Sequence, residues 1–116
     1  MHEMSLAQNI LEIVQDTLNR EKLNGAGKLR EVAVQVGELV AVVPESLEFC
    51  FNVLTENTDL SGARLKIEIL PLTAVCQNCR QQFHVENFVF SCPHCNSVKI
   101  DIMQGQELII SHLEVL

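Results

Sequence analysis

A chain of 116 residues with 47% apolar residues and a formal charge of −7 can build one ordinary core but not a large two-domain enzyme. It has no Trp, no Tyr and five Phe, so its core must come from Leu, Ile and Val, and aromatic stacking platforms are scarce. The acidic excess disfavours a phosphate backbone as partner, because non-specific nucleic-acid affinity comes mainly from Lys and Arg, and it makes a basic protein surface the better electrostatic match.

From Ser5 to about Leu23, Ala7, Ile10, Leu11, Val14 and Leu18 recur at three- and four-residue spacing, which predicts an amphipathic helix. Ser5 is expected to cap its start, and Asn24, Gly25, Ala26 and Gly27 to end it. Over Arg30–Leu39 the pattern becomes alternation, with Val32, Val34 and Val36 on one face and Ala33 and Gln35 on the other, a half-buried strand closed by Gly37 and Glu38. Pro44 suits a first helical turn, and Leu47, Cys50, Phe51 and Leu54 follow at helical spacing, so a second helix should end near Asn57. After a turn at Ser61 and Gly62, Arg64–Leu70 alternates with Leu65, Ile67 and Ile69 inward. A third strand is expected at about Glu107–Val115.

This order predicts an α+β fold, with two helices packed on a three-stranded mixed sheet and a four-cysteine, zinc-ribbon-like module inserted before the last strand. Pro71 and Gln104-Gly105 mark the expected borders, giving a main domain of residues 1–71 and 105–116 and a zinc-binding domain of residues 72–104. No apolar run of membrane-spanning length and no signal-peptide pattern is present, so a cytoplasmic protein is expected. An open sheet edge allows a homodimer.

Five cysteines in such a chain, four of them in two C-x-x-C pairs, point to metal rather than disulfides. Two residues separate Cys76 from Cys79 and Cys92 from Cys95, which lets each pair turn through a knuckle, and the twelve residues between the pairs suffice for a hairpin. Phe83, Val85, Phe88 and Phe90 are expected to cover the site. Four thiolates complete a tetrahedral zinc and leave no position for an activated water, which argues against hydrolysis. Iron in a rubredoxin-like site is the main chemical rival. A redox pair is the simpler reading of one C-x-x-C taken alone. Structural zinc, worth on the order of 10–16 kcal/mol in small peptides, is expected to fold this segment.

The chain begins Met1-His2-Glu3. The amine of Met1, the amide nitrogen and imidazole of His2 and the amide of Glu3 can lie in one plane, an arrangement suited to nickel(II) or copper(II). A frayed terminus is the plain alternative. Cys50 falls on the apolar stripe of the second helix and reads as a core residue. His94 lies within the second knuckle and should face solvent, and His84 and His112 read as surface histidines. Glu38 is either a loop carboxylate or a group reaching toward the N-terminus.

These residues resemble the HypA/HybF family of hydrogenase maturation factors essentially end to end. The resemblance runs through Met1-His2-Glu3 with Ser5-Leu6-Ala7, Val36-Gly37-Glu38-Leu39, Pro44-Glu45-Ser46-Leu47-Glu48-Phe49, Gly62-Ala63 and both cysteine pairs. It implies a nickel metallochaperone and no enzyme. Nickel(II) would be carried at Met1, His2 and Glu3, with structural zinc at Cys76, Cys79, Cys92 and Cys95, and the domain holding the N-terminus would be the nickel-binding one. It also implies a partner GTPase and, as recipient, the precursor of the large subunit of a nickel–iron hydrogenase. A zinc-ribbon module for nucleic acid or protein is the rival. For nucleic acid it would need a basic face, yet Cys76 to Cys95 contains one cation, Arg80. No nucleotide loop, nucleophile elbow or open metal triad supports an enzyme.

Overall fold

The computed structural model describes residues 2–21 and 28–115. The expected helix-ending run Asn24–Gly27 and the N-terminal Met1 lie outside the described residues. The chain forms two compact units, one of Met1–Gln35, Val42–Glu68 and Ile109–Leu116 and one of Val36–Ala41 and Ile69–Leu108. Among the described residues no helix is long and apolar enough to cross a membrane.

The first unit carries helix α1 (Glu3–Arg20) and helix α2 (Pro44–Thr55), which pack on one another. Glu3, Ala7, Ile10, Val14 and Leu18 form the buried stripe of α1, the three- and four-residue rhythm that a single buried face requires. The helix starts two residues earlier than expected, and Ser5 does not cap it. The N-cap is His2, whose carbonyl accepts the Leu6 N–H at 2.9 Å, so Ser5 already lies inside the first turn. In α2, Pro44 occupies the first turn, where its missing N–H removes no helical bond. Leu47, Cys50, Phe51 and Thr55 are buried, and the Thr55 hydroxyl donates to the Phe51 carbonyl at 3.0 Å.

Strands β1 (Leu29–Gly37), β2 (Arg64–Leu70) and β6 (Leu108–Val115) form a mixed three-stranded sheet in the order β2-β1-β6. The two helices pack on this sheet, as expected of an α+β fold. Val32, Val34 and Val36 of the central strand are all buried, as their alternation demands. On β2, Leu65 is buried but Ile69, expected inward, is 41% exposed.

In the second unit, β3 (Thr73–Cys76) is the centre of an antiparallel sheet between β4 (Gln82–His84) and β5 (Ile100–Gln104). Ala74 faces Phe83 on one side and Ile102 on the other, and the β5 pairing slips by one residue between Thr73 and Ala74. The slip leaves Met103 without an opposite number. Leu72, Ala74, Cys76, Phe83, Val85 and Cys92 make the core of this unit, with Leu39, Ile100 and Ile102 against it.

A 3-10 turn at Glu38–Val40 follows β1, and two glycines meet beside it. The Gly37 N–H donates to the Glu107 carbonyl at 2.7 Å and the Leu39 N–H to the Gly105 carbonyl at 2.8 Å. A Cβ on Gly37 would stand 2.1 Å from the carbonyl carbon and oxygen of Gly105, so this backbone approach excludes every side chain. Gly37→Ala should therefore lower stability by about 2 kcal/mol or more in denaturant unfolding. An unchanged midpoint would show that the two segments do not pack this closely.

Candidate metal centre

The two C-x-x-C pairs fold into matching knuckles. In the first, the Arg80 N–H donates to the Cys76 carbonyl at 2.9 Å, the Cys79 N–H to Cys76 Sγ at 3.4 Å, and the Cys76 N–H to the Gln81 carbonyl at 3.0 Å. In the second, the Asn96 N–H donates to the Cys92 carbonyl at 2.8 Å, the His94 N–H to Cys92 Sγ at 3.4 Å, and the Cys92 N–H to the Ser97 carbonyl at 2.9 Å. Arg80 and Asn96, each just after the second cysteine of its pair, share a left-handed backbone with φ of 64° and 63°. The short duplication in sequence is thus a duplication of backbone geometry.

This geometry brings all four sulfurs within 4.8 Å of one another. Cys76 Sγ lies 3.6 Å from Cys95 Sγ, and Cys79 Sγ 3.6 Å from Cys92 Sγ. A tetrahedral ion with metal–sulfur bonds of about 2.3 Å holds its sulfurs about 3.8 Å apart, close to both of these separations, so the donor set fits such an ion. Cys76 and Cys92 are buried and Cys95 is the most open of the four. The Asn78 amide also reaches Cys95 Sγ at 3.6 Å.

The thiols differ in their readiness to ionise. The Cys79 N–H is the chief cause that brings Cys76 down to about 6, working against burial and helped by the Asn78 N–H and the neighbouring thiols. Cys79 goes the other way. The Gln81 N–H favours its thiolate, but burial and the thiols of Cys92, Cys76 and Cys95 together push it up to about 12. Successive thiolates so close together repel, and a divalent cation among them removes that repulsion.

Two of the four aromatic and aliphatic residues expected to cover this centre do so. Phe83 and Val85 are buried, whereas Phe88 and Phe90 are 58% and 41% exposed. Asn87 and Phe88 have φ of 53° and 57° in a tight turn that the Val89 N–H closes onto the Glu86 carbonyl, which leaves those two rings outside the core. Cys50 is buried in α2 and His94 is exposed, as the sequence pattern suggested.

At the N-terminus, His2 is exposed and makes no capping hydrogen bond with its side chain. Met1 lies outside the described residues. The Glu3 carboxylate is not presented to solvent. The side chain is 6% exposed, and Oε2 accepts the N–H of Val43, the N-cap of α2, at 3.2 Å. That N–H, with the N–H of Glu3 itself, holds the carboxyl below its usual range. The backbone amides of His2 and Glu3 belong to the first turn, whose N–H groups have no intrahelical acceptor.

Glu38 has its own partners within the second unit. Its Oε1 accepts the Leu72 N–H at 2.8 Å and lies 2.8 Å from His84 Nε2. Leu72 first and His84 second hold the Glu38 carboxyl low, while Glu38, and then Glu86, raise His84 against the effect of burial. No local pattern in the sequence pairs the two residues, which stand 46 positions apart. The alternation that points His84 out of the short strand was the only local signal.

Comparison with known proteins places the chain among nickel-handling factors. The family model described as hydrogenase/urease nickel incorporation, metallochaperone, hypA matches residues 1–115. The hydrogenase maturation factor HypA of Lawsonia intracellularis is 44% identical over 99% of this chain and 99% of its own length. That of Desulfatibacillum aliphaticivorans is 41% identical over 99% of this chain and 87% of its own. The solution structure of the Ni metallochaperone HypA from Helicobacter pylori superposes with a TM-score of 0.67 at 26% identity, covering 100% of this chain and 98% of that one.

The Glu38–His84 contact predicts a pH-dependent stability. The raised His84 contributes while it is protonated and loses that contribution as pH climbs through its raised value, and Glu38 loses its share as pH falls through its lowered one. His84→Ala should thus lower the melting temperature more at about pH 6 than at about pH 8.5. An equal loss at both would mean that the contact carries no charge.

Proposed function

The chain belongs to the HypA family of nickel-incorporation metallochaperones for hydrogenase maturation, and on that premise we propose that it carries nickel(II) on its first three residues. The donors are the amine of Met1, the amide nitrogen and imidazole of His2 and the amide nitrogen of Glu3, a planar nitrogen set suited to nickel(II). The observation that carries this reading is the position of His2. It stands at the N-cap position of α1 with its ring exposed and uninvolved in capping, where backbone nitrogens have no intrahelical acceptor. Nickel can use the Glu3 amide without breaking a helical hydrogen bond, and the Glu3 carboxylate, tied to Val43, holds that amide in a fixed turn. A shallow and accessible chelate suits a carrier that must release its cargo.

Zinc is the resident ion of Cys76, Cys79, Cys92 and Cys95 in this reading, and residues 72–104 are the zinc-binding domain. A closed set of four thiolates leaves zinc a structural part, with no open position for a substrate. Residues 1–71 and 105–116 then form the nickel-binding domain. The protein works in the cytoplasm without catalysing a reaction. It hands nickel, together with a partner GTPase, to the precursor of the large subunit of a nickel–iron hydrogenase. The relatives named as hydrogenase maturation factors support that recipient.

His2→Ala tests the assignment. The variant should lose stoichiometric nickel binding near neutral pH, keep its zinc, and leave hydrogenase inactive in cells that depend on it. Stoichiometric nickel binding by the variant would refute the N-terminal site.

A further inference from the structure

The sheet of the first unit carries a separate group of metal donors. Alternation on β1 puts Glu31 on the face opposite Val32 and Val34, and the two-residue spacing of His112 and Glu114 puts both on one face of the neighbouring strand β6. A Glu31 carboxylate oxygen stands 3.9 Å from His112 Nε2. With Glu114 included, one ligand atom from each residue lies within 4.8 Å of the other two. Donors on an ion at about 2.1 Å sit roughly 3.0–3.4 Å apart, so small side-chain rotations close the set.

Charge favours an ion there. Two carboxylates share one face of paired strands, where like charges destabilise each other. Among the described residues neither forms an ion pair with a Lys or Arg, and His112 is the recorded partner of Glu31. The donor chemistry narrows the choice, because calcium and magnesium prefer all-oxygen shells whereas an imidazole with carboxylates suits nickel(II) or zinc(II). His112 is the more open of the pair, with 57% of its side chain exposed against 22% for Glu31. Three protein ligands on an open sheet face leave coordination positions for water or for a group from another molecule.

We propose that Glu31, His112 and Glu114 form a weak, solvent-open site for a divalent transition metal, nickel(II) in this protein. The choice of nickel rests on the metallochaperone reading above, whereas the site itself rests on the sheet. It shares no residue with the N-terminal chelate or the four cysteines. An imidazole with oxygen donors gives octahedral, paramagnetic nickel, unlike the diamagnetic ion in a planar nitrogen set.

The test uses zinc-loaded, full-length protein with His2→Ala, titrated with nickel(II) chloride and followed by NMR. Amide signals of residues 31–33 and 112–114 should broaden first, and adding His112→Ala or Glu31→Gln should weaken that effect at least ten-fold. Magnesium at equal concentration should not reverse the broadening. Absent broadening, broadening centred on His84 or His94, or a titration unmoved by His112→Ala would overturn the site. The two nickel proposals fail separately. Nickel binding identical in the wild-type and His2→Ala chains would sink the N-terminal reading alone, and binding confined to the wild type would sink this one alone.

Discussion

Four sulfurs held within 4.8 Å of one another are the constraint on which the second unit depends. To satisfy it, β3 must end at Cys76 and the chain must reverse through left-handed residues at Arg80 and Asn96. Two of these sulfurs belong to the hydrophobic core, since Cys76 and Cys92 pack with Leu72, Ala74, Phe83 and Val85. A core this small and nearly without aromatics offsets little of the ordering entropy of its strands, about 1–2 kcal/mol per residue for the backbone. A bound ion, worth on the order of 10 kcal/mol, changes that balance. The metal-binding cluster and the hydrophobic packing thus share Cys76 and Cys92.

The first unit solves a different problem. Its helix begins at Glu3 with His2 as N-cap, which puts the amides of both residues where backbone N–H groups have no intrahelical acceptor. Glu3 closes the buried stripe of α1 and satisfies the N–H of Val43 at the start of α2, so one carboxylate serves both packing and helix termination. A closed tetrahedral centre built into a core and an exposed chelate at a helix start have opposite exchange properties. The proposed division between resident zinc and carried nickel follows from that contrast in access.

Much of this was legible in the sequence. The stripe from Ala7 to Leu18, the alternation of Val32, Val34 and Val36, the placement of Pro44 and the paired cysteines each impose a period or spacing that few structures satisfy. What was not legible depended on contacts distant in sequence. The Glu3–Val43 bond spans 40 residues, and it anchors a helix start that local capping rules assigned to Ser5. Phe88 and Phe90 read as cover for the cysteines, but the tight turn at Asn87 and Phe88 leaves them outside the core. β5 alternates Ile100 and Ile102 with Asp101 and Met103, a pattern hidden because five residues beside a metal motif pass for its loop. The facing glycines at 37 and 105 are visible only once both backbones are in place.

The division of labour between the two metals is most directly tested by native mass spectrometry of the untagged, full-length chain before and after one equivalent of nickel(II). The account predicts one zinc per chain throughout and one nickel gained. Nickel that replaced the zinc, leaving a single metal per chain, would contradict it.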